Sequence, residues 1–388
     1  MAAAPALPPL PLPPGITSRQ VDTAPRGISF HVLEAGRGAD RPLILLLHGF
    51  PELAFSWRKV MPLLALAGYY VVAPDQRGYG RTTGWDTRDF DNVDLRDFAV
   101  LNLVRDMVLL VHALGYKGVD CVVGHDFGAV TAGYCAIARP DFFRRVAFMS
   151  HPFVGAPGPR PAPSPGPGEE DAIHRELAAL NRKHYKWYYS TQRANADMSR
   201  PAQGLHAFLR GYFYLKSASW PRNKPNELEA WTALELAKMP DYYVMPLQAT
   251  MPEAVAFHVA AAGGEEGPTS VQASHAWLPD SELAVYVDEF SRTGFQGGLN
   301  WYRVATSSAP SLNRDLDVFA GKKIECPCLY IGGAKDWGTY QVPGAIGKLA
   351  NNVSDDFCEV IVDDAGHWPA QEKPQEVVDA LTAFIHWQ

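Results

Sequence analysis

The chain is predicted to be an α/β protein: a mostly parallel sheet flanked by helices, interrupted by an inserted, mostly helical cap. Three observations predict this. Short apolar runs alternate with longer helix-periodic stretches from about residue 27 to residue 153. The alternation stops at a Pro/Gly/Ser stretch, "GAPGPRPAPSPGPGEED", which can form neither a helix nor a central strand. Core-type strands then return near the C-terminal end with "CPCLYIGG" and "FCEVIVDDAGHW".

The opening segment, "MAAAPALPPLPLPPG", is apolar, but prolines interrupt it and no basic residue precedes it. That pattern argues against a signal peptide and for a polyproline-like arm over residues 1–26 that packs little. "ISFHVLEAG" reads as an edge strand. "RPLILLLHG" is a continuous apolar run, as expected of a strand buried on both faces. "FSWRKVMPLLALAG" reads as a helix stopped at Gly68, and "YYVVAPDQRGYG" as a buried strand ending in a glycine-rich turn. "LRDFAVLNLVRDMVLLVHALG" is a strongly amphipathic helix, and "GVDCVVGHD" and "RVAFMSHPF" are further strands. Parallel strands joined this way need right-handed crossovers, with helices on both faces. "QEVVDALTAFI" closes the chain as a helix. The expected divisions are 1–26 for the arm, 27–153 for the first part of the core, 154–310 for the cap and 311–388 for the second part of the core. Such a cap would lie over the carboxyl ends of the strands, where open α/β sheets bind ligands.

Composition narrows the chemistry. A net charge of −7 disfavours nucleic acid and anionic lipid as partners and favours a neutral small molecule. The five cysteines, Cys121, Cys135, Cys326, Cys328 and Cys358, form no disulfide framework. Cys326-Pro327-Cys328 has no second Cys/His group to complete a zinc set, so no metal and no cofactor is expected. These thiols read as core residues of a reducing, cytoplasmic compartment. No apolar run approaches membrane-spanning length. Oligomeric state leaves no trace in the sequence.

The chemistry centres on "VVGHDFGAV". Gly124, Asp126 and Gly128 place a carboxylate at a sharp strand-to-helix bend, between glycines small enough to permit the turn. A competing role for Asp126 is that of a helix N-cap. Two partners follow in the order nucleophile, acid, histidine: Asp336 after "CLYIGGAKD" and His367 in "VDDAGHWP". Each lies just beyond the end of a strand. Upstream, His48-Gly49-Phe50-Pro51 follows another strand, and its Phe50 N–H can join that of Phe127 in an oxyanion hole. His48 is expected to brace that loop and His125 to pack beside the bend. Unlike serine, an aspartate is already ionised at neutral pH, so it attacks carbon without first losing a proton. That favours alkylating substrates, such as epoxides and alkyl halides, over ordinary esters.

With these residues in place, the chain resembles the epoxide hydrolase branch of the α/β-hydrolase fold from about residue 27 to its end. The shared motifs are "HGFPE", "RGYGRT", "GHDFGA", "GFQGGLNWYR" and "AGHW". The resemblance implies Asp126 as nucleophile, Asp336 and His367 as the water-activating pair, and two cap tyrosines that hold and protonate the epoxide oxygen. Tyr302 of "NWYR" matches one of them. Tyr188 of "HYKWYYST" is the expected first tyrosine, with Tyr185 and Tyr189 close enough for a slip. The implied reactants are an apolar or aromatic epoxide and water. Haloalkane dehalogenases share the Asp nucleophile, but they commonly cradle halide with a Trp at the position of Phe127, which has no N–H to offer. A haloacid dehalogenase would need cations where this chain has Phe127, Gly128 and Ala129. A hydrolase-fold receptor with little turnover is the remaining alternative.

Overall fold

The computed structural model describes residues 7–387, apart from residues 24, 26–27, 39, 157, 159–168, 266–268, 308 and 354–355. Its strands are β1 (Ile16–Asp22), β2 (Ser29–Ala35), β3 (Leu43–Leu47), β4 (Tyr70–Pro74), β5 (Cys121–His125), β6 (Val146–Met149), β7 (Arg182–His184), β8 (Val244–Pro246), β9 (Cys328–Gly333) and β10 (Phe357–Val362). Eight of them form one sheet in the order β1-β2-β4-β3-β5-β6-β9-β10. The β1–β2 and β2–β4 pairs are antiparallel, and all pairs from β4 to β10 are parallel. Every residue of β3, β4, β5 and β6 is buried, because helices cover both faces. Val100–Ala113 and Phe127–Ala138 pack on one face, while Met61–Leu66 and Pro374–His386 pack on the other.

Two expectations need correction. The stretch read as a loose arm contains β1, which pairs along its whole length with β2, so "ISFHVLEAG" is not the edge of the sheet. Only Ile16 and Val21 of β1 are buried, so it shows no apolar alternation. Its backbone ladder holds it instead, with cross-strand links such as Arg19 Nε donating to Glu34 Oε1 at 3.0 Å. The helix read from "FSWRKVMPLLALAG" is two pieces, a tight turn over Ala54–Trp57 and a helix over Met61–Leu66 with Pro62 in its first turn. Proline lacks the N–H that a continuous helix would need at that point.

Between β6 and β9 lies the cap, made of helices and the small antiparallel β7–β8 pair, which was not anticipated. Most of the Pro-rich stretch, at residues 159–168, falls outside the described residues. The apolar interior of the cap is continuous with core residues Phe50, Trp337 and Trp368. Cap and core meet closely at one point: a Cβ added to Gly297 would stand 2.0 Å from the Gly78 carbonyl oxygen. The "RGYGRT" and "GFQGGLNWYR" motifs therefore meet backbone to backbone, and only glycine fits. Cys121, Cys135, Cys326 and Cys328 are buried, Cys358 is half-buried, and none is in a disulfide. No helix among the described residues is long and apolar enough to cross a membrane.

Candidate active site

Strand register assembles the site. Leu47 pairs with Gly124, so the loops leaving β3 and β5 run side by side. Asp126 follows β5 with φ 50° and ψ −119°, a backbone region that non-glycine residues rarely occupy. Its neighbours must be small: a Cβ on Gly124 would meet the Gly128 carbonyl oxygen at 2.3 Å, and one on Gly128 would meet that of Leu47 at 2.3 Å. The N-cap role is excluded, since the Asp126 side chain makes no capping hydrogen bond to its helix. Instead its Oδ1 accepts the Phe50 N–H at 3.1 Å. The peptide bond from Phe50 to Pro51 is cis. The 12-residue helix starts at Phe127, so its positive end begins directly after the bend.

Val362 pairs with Gly333, which brings the loops after β9 and β10 together in the same way. There His367 Nδ1 lies 3.0 and 3.1 Å from the two Asp336 oxygens, and Asp336 Oδ1 also accepts the Gly338 N–H at 2.6 Å. A carboxylate at Nδ1 fixes the proton there and leaves Nε2 basic. Nε2 lies 3.3 Å from Asp126 Oδ2, without hydrogen-bond alignment. Burial alone would raise the Asp126 carboxyl. Contact with His367 and the charges of Lys216 and His125 more than offset this and hold it below the usual carboxylate range. Asp126 is therefore ionised over the working pH range.

The supporting groups are more elaborate than expected. His48 braces its loop: Nδ1 donates to the Gly49 carbonyl at 2.9 Å, and Nε2 accepts the Gln76 N–H at 3.1 Å. His125 does more than pack. Its Nδ1 lies 2.6 Å from Glu52 Oε2, and its Nε2 donates to the His367 carbonyl at 2.7 Å. Burial disfavours the charged forms of both partners, yet their mutual attraction raises His125 and lowers Glu52. Glu52 also receives Gln371 Nε2 at 3.1 Å. Glu52, Gln371 and Glu372 escaped the sequence reading, although Glu52 stands within the "HGFPE" motif.

Above Asp126 lies a cavity of about 130 Å³, lined by Phe98, Leu103, Phe127, Val130, His151, Lys186 and Trp301, together with Tyr185 and Tyr302. Tyr302 stands against Phe127 and Phe50, with ring centres 5.1 and 5.4 Å away. The second cavity-lining phenol is Tyr185, which corrects the choice of Tyr188. The Tyr188 hydroxyl donates to Asp197 Oδ2 at 3.0 Å, and the residue does not line the cavity. Tyr185, Tyr188 and Tyr189 occupy one five-residue helix, Tyr185–Tyr189, too short for an apolar period to reveal which one turns inward. Burial, reinforced by the charge of Asp126, pushes the Tyr185 and Tyr302 phenols well above their ordinary range, so both keep their protons. His151 is held neutral, pushed down to about 4 by burial and by the charge of Lys186. The indole N–H of Trp301 donates to the Arg77 carbonyl at 3.0 Å. Among the described residues, no group of three or more His, Cys, Asp or Glu side chains is arranged to hold a metal ion.

This geometry defines a class: a carboxylate elbow over a parallel sheet, served by a His–Asp pair under a helical cap. The alpha/beta hydrolase fold family model matches residues 42–374. Epoxide hydrolase A of Mycobacterium tuberculosis is 32% identical over 376 residues, covering 95% of this chain and 97% of the relative. Epoxide hydrolase B of the same organism is 32% identical over 385 residues, covering 93% and 96%. The solved epoxide hydrolase from an endophytic Streptomyces superposes with a TM-score of 0.73 at 31% identity, covering 96% of each chain. Potato epoxide hydrolase I superposes with a TM-score of 0.66 at 27% identity, covering 95% and 99%. The chain belongs to the alpha/beta hydrolase fold family, in its epoxide hydrolase branch.

Proposed function

We propose that this chain hydrolyses a small, apolar epoxide to a vicinal diol in two steps. Asp126 Oδ2 attacks an epoxide carbon; the ring C–O bond breaks, and its electron pair goes to oxygen. Tyr302 and Tyr185 hydrogen-bond that oxygen and supply the proton. An alkyl ester on Asp126 results. His367, oriented by Asp336, takes a proton from water as the water attacks the ester carbonyl carbon. Oδ1 becomes an oxyanion held by the N–H groups of Phe50 and Phe127, an arrangement that typically contributes about 3 kcal/mol per donor. The tetrahedral species then collapses: His367 returns its proton to Oδ2, which leaves in the diol, and the remaining proton of the attacking water restores the tyrosine phenol.

One observation carries this reading: the two Asp126 oxygens face different partners, Oδ1 the Phe50 N–H and Oδ2 His367 Nε2. A serine-type acyl transfer has no use for that division, whereas an ester-forming carboxylate needs both halves. The cavity supports a substrate of modest size, since a dry cavity of about 150 Å³ accommodates benzene. Halide release is disfavoured because the indole N–H of cavity-lining Trp301 is committed to a backbone carbonyl. Cysteines that form no disulfide support a reducing compartment, such as the cytoplasm. The test is His367→Gln mixed with styrene oxide. An adduct mass should accumulate on the Asp126 peptide; its absence, with the epoxide still consumed, would overturn the covalent route.

A further inference from the structure

The loop that carries His367 is pressed against a turn of the cap. A Cβ on Gly366 would meet the Ser217 carbonyl carbon and the Ala218 nitrogen at 2.5 Å, so the two backbones touch. Three successive N–H groups of the loop are held at this contact, one across it and two by Glu372 on the loop's own side. That of His367 donates to the Lys216 carbonyl at 2.8 Å. Those of Gly366 and Trp368 donate to Glu372 Oε1 at 3.1 and 3.0 Å. Glu372 Oε2 meanwhile accepts the Ala218 N–H, 154 residues away in sequence, at 2.8 Å. Helix capping by a glutamate would explain the Trp368 contact alone. It does not explain a carboxylate shared between the histidine loop and the cap.

We propose that Glu372 is a positioning residue for the second half of the reaction, clamping the His367 loop to the Ser217–Ala218 turn so that Nε2 addresses the ester carbonyl. This rests on the two-step reading above. Glu372 makes no hydrogen bond to the β5 elbow or the Phe50 loop, and His367 is not the nucleophile, so alkylation of Asp126 does not depend strongly on it. Ester hydrolysis does, because it needs the imidazole held in register. Glu372→Gln would turn an NH₂ group toward N–H donors and open the clamp. Misplacing a reacting group by about 1 Å can cost on the order of 100-fold in rate.

The experiment is quenched single turnover of the full-length protein with styrene oxide, following adduct formation and decay separately. In Glu372→Gln, decay should slow about tenfold or more while formation changes less than about threefold, so adduct builds up. Ala218→Pro is the second variant, removing one clamp donor from the far side. The preceding Ser217 is already extended at φ −90° and ψ 170°, as a residue before proline prefers. It should slow decay several-fold in the same selective way. Equal slowing of both steps, or no change in decay, overturns the clamp while leaving the hydrolase reading intact. Failure of wild-type protein to form any adduct removes both.

Discussion

The core and the cap bring groups to the same cavity by different physical means. In the core, Phe50, Asp126, Asp336 and His367 each stand just past the end of a strand, and parallel register delivers them to one edge. Backbone hydrogen bonding therefore sets their spacing before any side chain packs. In the cap, Tyr302 and Tyr185 ride on separate short helices whose position depends on side-chain fit and on the Gly78–Gly297 contact. The core half should therefore tolerate changes of packing, whereas the cap half should be sensitive to small ones.

The largest expected effect lies on the core side. Asp126→Ala should remove adduct formation and lower turnover by more than about 10⁴-fold, since no other group replaces the nucleophile. Activity retained within tenfold would break the account of the elbow. The cap phenols come next: Tyr302→Phe and Tyr185→Phe should each slow ring opening by roughly 100-fold, the usual scale for a lost general acid. Tyr188→Phe should lose little, because its hydroxyl already serves Asp197. A reversed order in pre-steady-state rates would show that a different phenol faces the epoxide.

Smaller effects sharpen the comparison further. Gly297→Ala forces backbone against backbone and should cost about 1–3 kcal/mol of stability, lowering kcat as Tyr302 shifts; thermal melts and kinetics on one sample would reveal both. Acid sensitivity should come from the core. Asp75 accepts the Ala54 N–H at 2.9 Å and the Arg81 N–H at 3.0 Å and pairs with His31, so although burial opposes its charge its pKa is lowered, as are those of Glu52 and Asp126. Folding favours the ionised forms. They contribute stability that is complete above the unfolded carboxylate pKa of about 4 and is lost as pH falls through the lower folded values. Asp75→Asn should therefore destabilise the protein by about 1–3 kcal/mol at neutral pH, with the deficit shrinking below pH of about 4 in denaturant titrations.

The same contrast explains what was legible in the sequence. Strands β3, β5, β9 and β10 announce themselves as apolar runs, and polar residues at their ends are then placed by register alone. Strand β1 was missed because a half-exposed edge strand carries little apolar signal. The inward tyrosine was misread because one and a half helical turns, lying beside an unforeseen β7–β8 pair, offer no phase reference. Glu52 and Glu372 were passed over for a different reason. A carboxylate whose partners lie on distant loops has no sequence period at all, and those partners appear only when the chain is folded.

The central claim, that a side-chain oxygen of Asp126 becomes an oxygen of the product, is tested most directly by one wild-type turnover in heavy-oxygen water with protein in excess over styrene oxide. The account predicts an unlabelled diol and a heavier Asp126 peptide. A labelled diol with an unlabelled peptide would mean that water attacks the epoxide itself.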